Sequence, residues 1–184
     1  MTPATAARRY ARALFDVVLQ QRGDLDRVGR ELDEFAALVA GSAPLHAVIS
    51  NPAVPAAKKR ALVDALLAQA GAVSDPVART LGLLADRDRL GLVAAIATAY
   101  TERVMDHRQI VRAEVTTAVP LDADRAAALA TALGAATGRQ VLVDQKVDAS
   151  ILGGVVARVG SVVYDGSVAR QLEKMKEQLV ESGQ

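Results

Sequence analysis

From the start of the chain to about residue 107, apolar residues recur every three or four positions. Ala7, Ala11, Leu14 and Val18 form one stripe of a helix predicted over residues 5–21. Leu25, Val28, Leu32, Phe35 and Val39 make a second, opened after Gly23–Asp24 and closed by Gly41. A short third helix spans 45–49 and stops before "NPAVP", whose prolines disfavour helix at the residues before them. Pro55 suits the first turn of a fourth helix, with Val63, Leu66, Leu67 and Ala70 inward and Gly71 as its stop. "SDP" at 74–76 caps a fifth carrying Val77, Leu81 and Leu84. "DRDR" breaks that helix, with Asp88 read as the cap of a sixth that turns Val93, Ile96, Ala97, Tyr100 and Val104 inward.

After His107 the period changes. "IVRAEVTTAV" (110–119) alternates and is rich in β-branched residues, so it predicts a strand ended by Pro120. Asp122 caps an alanine-rich helix, and "QVLVDQKV" is a second strand with Val141 and Val143 on one side. The expected fold is an all-α six-helix bundle over residues 1–105, followed by a small α+β domain over 106–184.

"GGVVARVGSVVYDGSV" (153–168) concentrates four of the chain's 13 glycines. A phosphate-binding loop needs Lys-Ser/Thr after its last glycine, or Gly-x-Gly-x-x-Gly leading into a helix. Here β-branched residues follow both Gly154 and Gly160, so neither pattern is met. A hairpin explains the stretch better, with Gly160 and Ser161 as a two-residue primed turn. That turn sets Val159 opposite Val162 and Ala157 opposite Tyr164, and places Arg158 diagonal to Asp165. Ser167 then caps a last helix on which Val168, Leu172, Met175 and Leu179 form a heptad-like seam.

Composition narrows the function. Hydrophobic residues are 51% of the chain and aromatic ones only 3%, a small-side-chain core with few surfaces for stacking bases. Residues 1–105 carry a net charge of +2 and residues 106–184 a net of −1, which disfavours an RNA-binding module. There is no cysteine, and no apolar run of membrane-spanning length. "MTPATAARRYARALF" has three arginines and no acid, as a transit peptide does, but its apolar spacing continues through Val17 and Val18 as a first helix. His46 and His107 stand alone, and "AAKKRA" (56–61) reads as a solvated helix face. No nucleophile–base pair, metal-ligand cluster or cofactor loop emerges, so no catalytic, metal or cofactor residue is assigned.

What does ask for a partner is surplus apolar surface. The first helix adds Tyr10, Ala13 and Val17 beside its core stripe; the fifth has Leu83 off its line, with Gly82 next to it allowing close approach. Either these helices are buried on two sides, or they form a groove for another amphipathic helix. The seam Leu172, Met175 and Leu179 reads as core against the sheet or as a docking face.

Five stretches, in order, resemble the delta subunit of F-type ATP synthase, the oligomycin-sensitivity-conferring protein of mitochondria: "ARRYARALF" (7–15), "NPAVPAAKK" (51–59), "LLADRDRL" (83–90), "AEVTTAVPL" (113–121) and the glycine-rich 153–168. Ser161 and Tyr164 are mild departures from that pattern. The resemblance implies a non-catalytic stator subunit whose N-terminal domain binds helices of the alpha subunits of the catalytic head. Its C-terminal domain would hold the b subunits of the peripheral stalk, so that rotor torque couples ion translocation to ATP synthesis. The family's alpha-binding groove lies between its first and fifth helices, which here points to Tyr10, Ala13, Val17 and Leu83. For the stalk, the docking candidate is the terminal seam Leu172, Met175 and Leu179 read from its heptad spacing. The immediate start of the first helix leads to an expected bacterial origin, on the cytoplasmic face of the membrane and attached to it only through the complex.

Overall fold

The computed structural model describes residues 2–149, 151, 153–160, 162–168, 170 and 172. The chain divides into two compact units, one ending at Val104 and the next starting at Met105.

The first unit is helical. α1 (Pro3–Gln20) starts two residues earlier than its apolar stripe predicts, because Thr2 caps it and Pro3 fits the first turn. The Thr2 hydroxyl accepts from the Thr5 amide at 3.4 Å. α2 (Leu25–Gly41) begins at Asp24, whose carboxylate accepts from the amides of Asp26 and Arg27, both at 3.0 Å. Ser42 caps α3 (Ala43–Ser50), α4 (Ala56–Ala70) follows Pro55, and α5 is Asp75–Asp86. The sixth helix was expected from about Arg89. Instead a 3₁₀ turn (Leu90–Leu92) precedes α6 (Val93–His107), after Asp88 takes a left-handed φ of 54°.

α5 is the centre of this unit, touching α1, α2 and α4. Its buried residues Val77, Leu81, Gly82, Leu84 and Ala85 therefore extend around more than one stripe. The core is mostly aliphatic, with Leu32, Val77, Leu84 and Ile96 fully enclosed. Tyr100 is its largest member; the ring meets Phe15 edge-on at 6.3 Å, and the hydroxyl donates to the Leu25 carbonyl at 3.3 Å. Among the described residues no single helix is long and apolar enough to cross a membrane.

The second unit combines a sheet with a helix. β1 (Ile110–Thr117) and β2 (Gln140–Val147) are parallel and are joined through α7 (Ala123–Thr137), the kind of crossover that parallel neighbours require. β3 (Gly154–Val159) and β4 (Val162–Ser167) complete a sheet of order β2-β1-β3-β4, with β3 antiparallel to both neighbours. Ala113, Val115, Val141, Ala157 and Val159 form the buried face with Leu133 of α7. The helical first part and the mixed second part agree with the fold class expected from the two sequence periods.

Candidate functional site

The stretch 153–168 is a hairpin. Val159 pairs with Val162 and Ala157 with Tyr164, the register a two-residue turn demands. Gly160 has φ +59°, as a primed turn requires. Gly154 is the more constrained position: φ is +90°, and a Cβ there would sit 2.4 Å from the Gly166 carbonyl oxygen. Asp165 uses its carboxylate to accept the Ser167 amide at 2.9 Å, and the Ser167 hydroxyl accepts from the Arg170 amide at 3.3 Å. These are the bonds of a chain leaving a sheet for a helical turn. Leu172 is 57% exposed; Met175 and Leu179 lie outside the described residues.

On the first unit, the four residues singled out on α1 and α5 line one open hollow of about 250 Å³. Tyr10, Ala13 and Val17 supply the α1 wall, Pro76, Thr80 and Leu83 the α5 wall, and Leu14 also lines it. Val17 and Leu83 are 41% and 42% exposed, large aliphatic side chains left half in water. Thr80 does little to make the wall polar, because its hydroxyl donates to the Pro76 carbonyl within the helix at 2.7 Å. Arg79, at the rim, is paired with Asp75 at 2.6 Å. The Tyr10 hydroxyl accepts from the Arg89 guanidinium at 3.2 Å, which holds the ring at one end of the groove.

Gly82 has a different role from the one its neighbour Leu83 suggested. A Cβ on Gly82 would lie 2.4 Å from Nη1 of Arg60, so the missing side chain admits Arg60 of α4 rather than a visitor to the groove. Arg60 bonds Asp64 at 3.1 Å and Asp86 at 3.1 Å. The hydrogen bond and charge of Asp64, reinforced by Asp86, raise its pKa further above the already high arginine value.

The expected solvated face at 56–61 and the expected cap at Asp88 are both corrected. Lys59 is 1% exposed and donates to the Ile49 carbonyl at 2.8 Å and to the Asp88 carboxylate. Asp88 is occupied as the counter-ion, in a turn, rather than as a helix cap. Likewise Ser74 stands at the start of α5 but makes no capping bond; its amide and hydroxyl both donate to Glu31 of α2. Thus "AKK" and "DRD", separate in sequence, are the two halves of one clasp.

Sequence reasoning assigned no role to a further hollow of about 320 Å³ between α2, α4 and α5, where Phe35, Leu38, Leu66, Leu67 and Val73 meet a rim of Arg27 and Glu31. Its one signal was Leu38, 47% exposed and off the α2 core stripe. His46 and His107 are both exposed, on α3 and at the end of α6.

Comparison with known proteins gives these features a context. The family model described as "ATP synthase delta (OSCP) subunit" matches residues 6–179. The ATP synthase subunit delta of Anaeromyxobacter sp. (strain Fw109-5) is 44% identical over 179 residues, 97% of this chain and 99% of that one. Its counterpart in Myxococcus xanthus (strain DK1622) is 43% identical, covering 97% of this chain and 98% of its own. A chain of the Toxoplasma gondii mitochondrial ATP synthase hexamer shares the fold, with a TM-score of 0.60 at 24% identity over 95% of this chain and 97% of that one. A chain in a structure of the F1 head and rotor of Polytomella F-ATP synthase aligns with a TM-score of 0.51 at 25% identity, covering 55% of this chain and 87% of that one. With the family model spanning nearly every residue and relatives this close over their whole length, the chain belongs to the ATP synthase delta (OSCP) subunit family.

Proposed function

We propose that this protein is the non-catalytic stator subunit of an F-type ATP synthase, linking the alpha subunits of the catalytic head to the b subunits of the peripheral stalk. By resisting rotation of the head, it lets rotor torque couple ion translocation to ATP synthesis. The observation that carries this reading is the convergence of Tyr10, Ala13, Val17 and Leu83 on one apolar groove between α1 and α5. Such a surface suits the apolar face of an amphipathic helix, here an N-terminal helix of an alpha subunit. The second unit is assigned to the stalk, with Leu172, Met175 and Leu179 as its docking seam. Attachment to the cytoplasmic face of a bacterial membrane would be through the complex. The domains are taken as residues 1–105 for the head and 106–184 for the stalk.

A joint that holds against torque over many turnovers needs slow dissociation. Nanomolar affinity corresponds to about −12 kcal/mol. The groove's two half-exposed aliphatics, buried fully, contribute only about 1 kcal/mol each. Tyr10 and backbone contacts add to this, and a longer contact track than the hollow itself is required.

The test is calorimetric titration of the full chain with a synthetic N-terminal peptide of the alpha subunit from the same enzyme. Saturable one-to-one binding is expected. Ala13→Asp places an unpaired charge against the apolar face and should weaken binding by roughly 2–4 kcal/mol while the protein stays folded. Equal affinity in a folded Ala13→Asp variant removes the groove from the interface.

A further inference from the structure

The stripe that lines the groove is longer than the groove. Pro3, Ala6, Tyr10, Ala13 and Val17 step by three and four along α1. Tyr10, Ala13 and Val17 face the 250 Å³ hollow. Pro3 and Ala6 face a second hollow of about 290 Å³, whose opposite wall is Asp88, Arg89, Gly91 and Leu92. At 1.5 Å per residue the stripe from Pro3 to Val17 is about 21 Å long, about four helical turns. Arg89 stands where the hollows meet, lining the second while its guanidinium reaches the Tyr10 hydroxyl at 3.2 Å in the first.

Arg89 also differs electrostatically from several arginines of this unit that hold a carboxylate. Arg12 faces Asp16 at 3.8 Å, Arg79 faces Asp75 at 2.6 Å, and Arg60 holds Asp64 and Asp86. The adjacent Asp88 is taken by Lys59. Among the described residues Arg89 has no carboxylate partner, and its side chain donates to a neutral phenol oxygen. Its backbone, by contrast, is fixed. The Arg89 amide donates to the Leu84 carbonyl at 2.7 Å and the Asp88 amide to Ala85 at 3.1 Å, while buried Lys59 holds the Asp88 carboxylate. A cation on an immobilised turn, at the waist of an apolar track, costs little ordering when it meets an anion.

We infer that Arg89 is a specificity-determining residue of the groove. The occupant is an amphipathic helix of about four turns lying along α1 over both hollows and presenting an Asp or Glu carboxylate to Arg89. A single exposed cation between mostly apolar walls holds a free anion only weakly, so the carboxylate is taken to come on a helix. This inference rests on the reading of the groove as the alpha-subunit site.

The test uses the full chain and two peptides: the N-terminal alpha-subunit peptide, and a copy with each Asp and Glu replaced by Asn or Gln. At low ionic strength Arg89→Gln should weaken the native peptide about fivefold, and Arg89→Lys less. The neutralised peptide should bind the unaltered protein about fivefold more weakly and lose nothing more on Arg89→Gln. Both differences should shrink at high salt. Tyr10→Phe keeps Arg89 and should retain discrimination between the two peptides. Native-peptide affinity unchanged in Arg89→Gln, or independent losses from protein and peptide changes, overturns the inference. If Ala13→Asp also leaves binding intact, or the native peptide does not bind, the groove reading itself fails. If Ala13→Asp abolishes binding while Arg89→Gln does not, only the role of Arg89 falls.

Discussion

Lys59 and Asp88 allow the packing of the first unit to be tested with a sign as well as a size. The ammonium is 1% exposed, whereas the Asp88 side chain is 49% exposed. Asp88→Asn leaves a buried cation with the Ile49 carbonyl and a neutral amide as acceptors. Removing one partner of a fully buried pair costs about 3–5 kcal/mol, and the half-exposure of Asp88 lowers the expectation to about 2–3 kcal/mol. Asn accepts a φ of 54° as readily as Asp, so the backbone adds no cost. Lys59→Met removes the charge and keeps most of the stem. Asp88 then rehydrates, and the principal loss is the partner of the Ile49 carbonyl, about 1–2 kcal/mol. The double variant should match Lys59→Met, because without the cation the Asn substitution removes nothing, giving a coupling of about 2–3 kcal/mol. Urea unfolding of the full chain followed by far-ultraviolet circular dichroism reads the stabilities, and amide exchange along α4 assigns the change to the first unit. Additive losses, or an Asp88→Asn variant within about 0.5 kcal/mol of the unaltered protein, would show that the buried ammonium does not depend on this carboxylate.

Three further outcomes are expected. Gly154→Ala should destabilise the second unit by more than about 3 kcal/mol, because φ is +90° and the new Cβ meets backbone atoms that cannot rotate away. Exchange protection across β3 and β4 should collapse while α4 and α5 keep theirs, and a unit with native protection refutes the steric argument. Glu31→Ala should cost about 1–2 kcal/mol by releasing the Ser74 amide and the Arg27 guanidinium, seen as earlier thermal unfolding and faster exchange at the start of α5. Tyr100→Phe should cost about 1 kcal/mol through loss of the bond to the Leu25 carbonyl, with the edge-on packing against Phe15 preserved.

Much of the local structure was legible because its causes are local. Asp24 and Asp122 each accept an amide two or three residues ahead and stood at predicted element starts, whereas Ser42, which caps α3 in the same way, lies three residues before the start its apolar spacing predicts. The hairpin register followed from a two-residue turn, since a period of two leaves no intermediate pairing. Leu83 was recognisable as surplus because helical spacing says which positions leave the core line, and it lines the groove with Tyr10, Ala13 and Val17.

Other features depended on residues distant in sequence. Lys59 follows another lysine on a helix, a pattern that reads as solvated, and its partner Asp88 is 29 residues away. Gly82 neighbours Leu83 yet faces Arg60, 22 positions earlier, because adjacent helical residues point about 100° apart. Ser74 occupies a cap position but gives its hydroxyl to Glu31, 43 residues back. The chain's own spacing therefore determined where helices and strands begin, which side chains can share a face, and how the hairpin pairs. Folding decided which face of α5 is covered by α4 and which is left open as a groove, and which charge is buried. Caps, turns and periodicity act over a few residues, whereas burial of a charge is set by whether the packed chain delivers a counter-charge to that place.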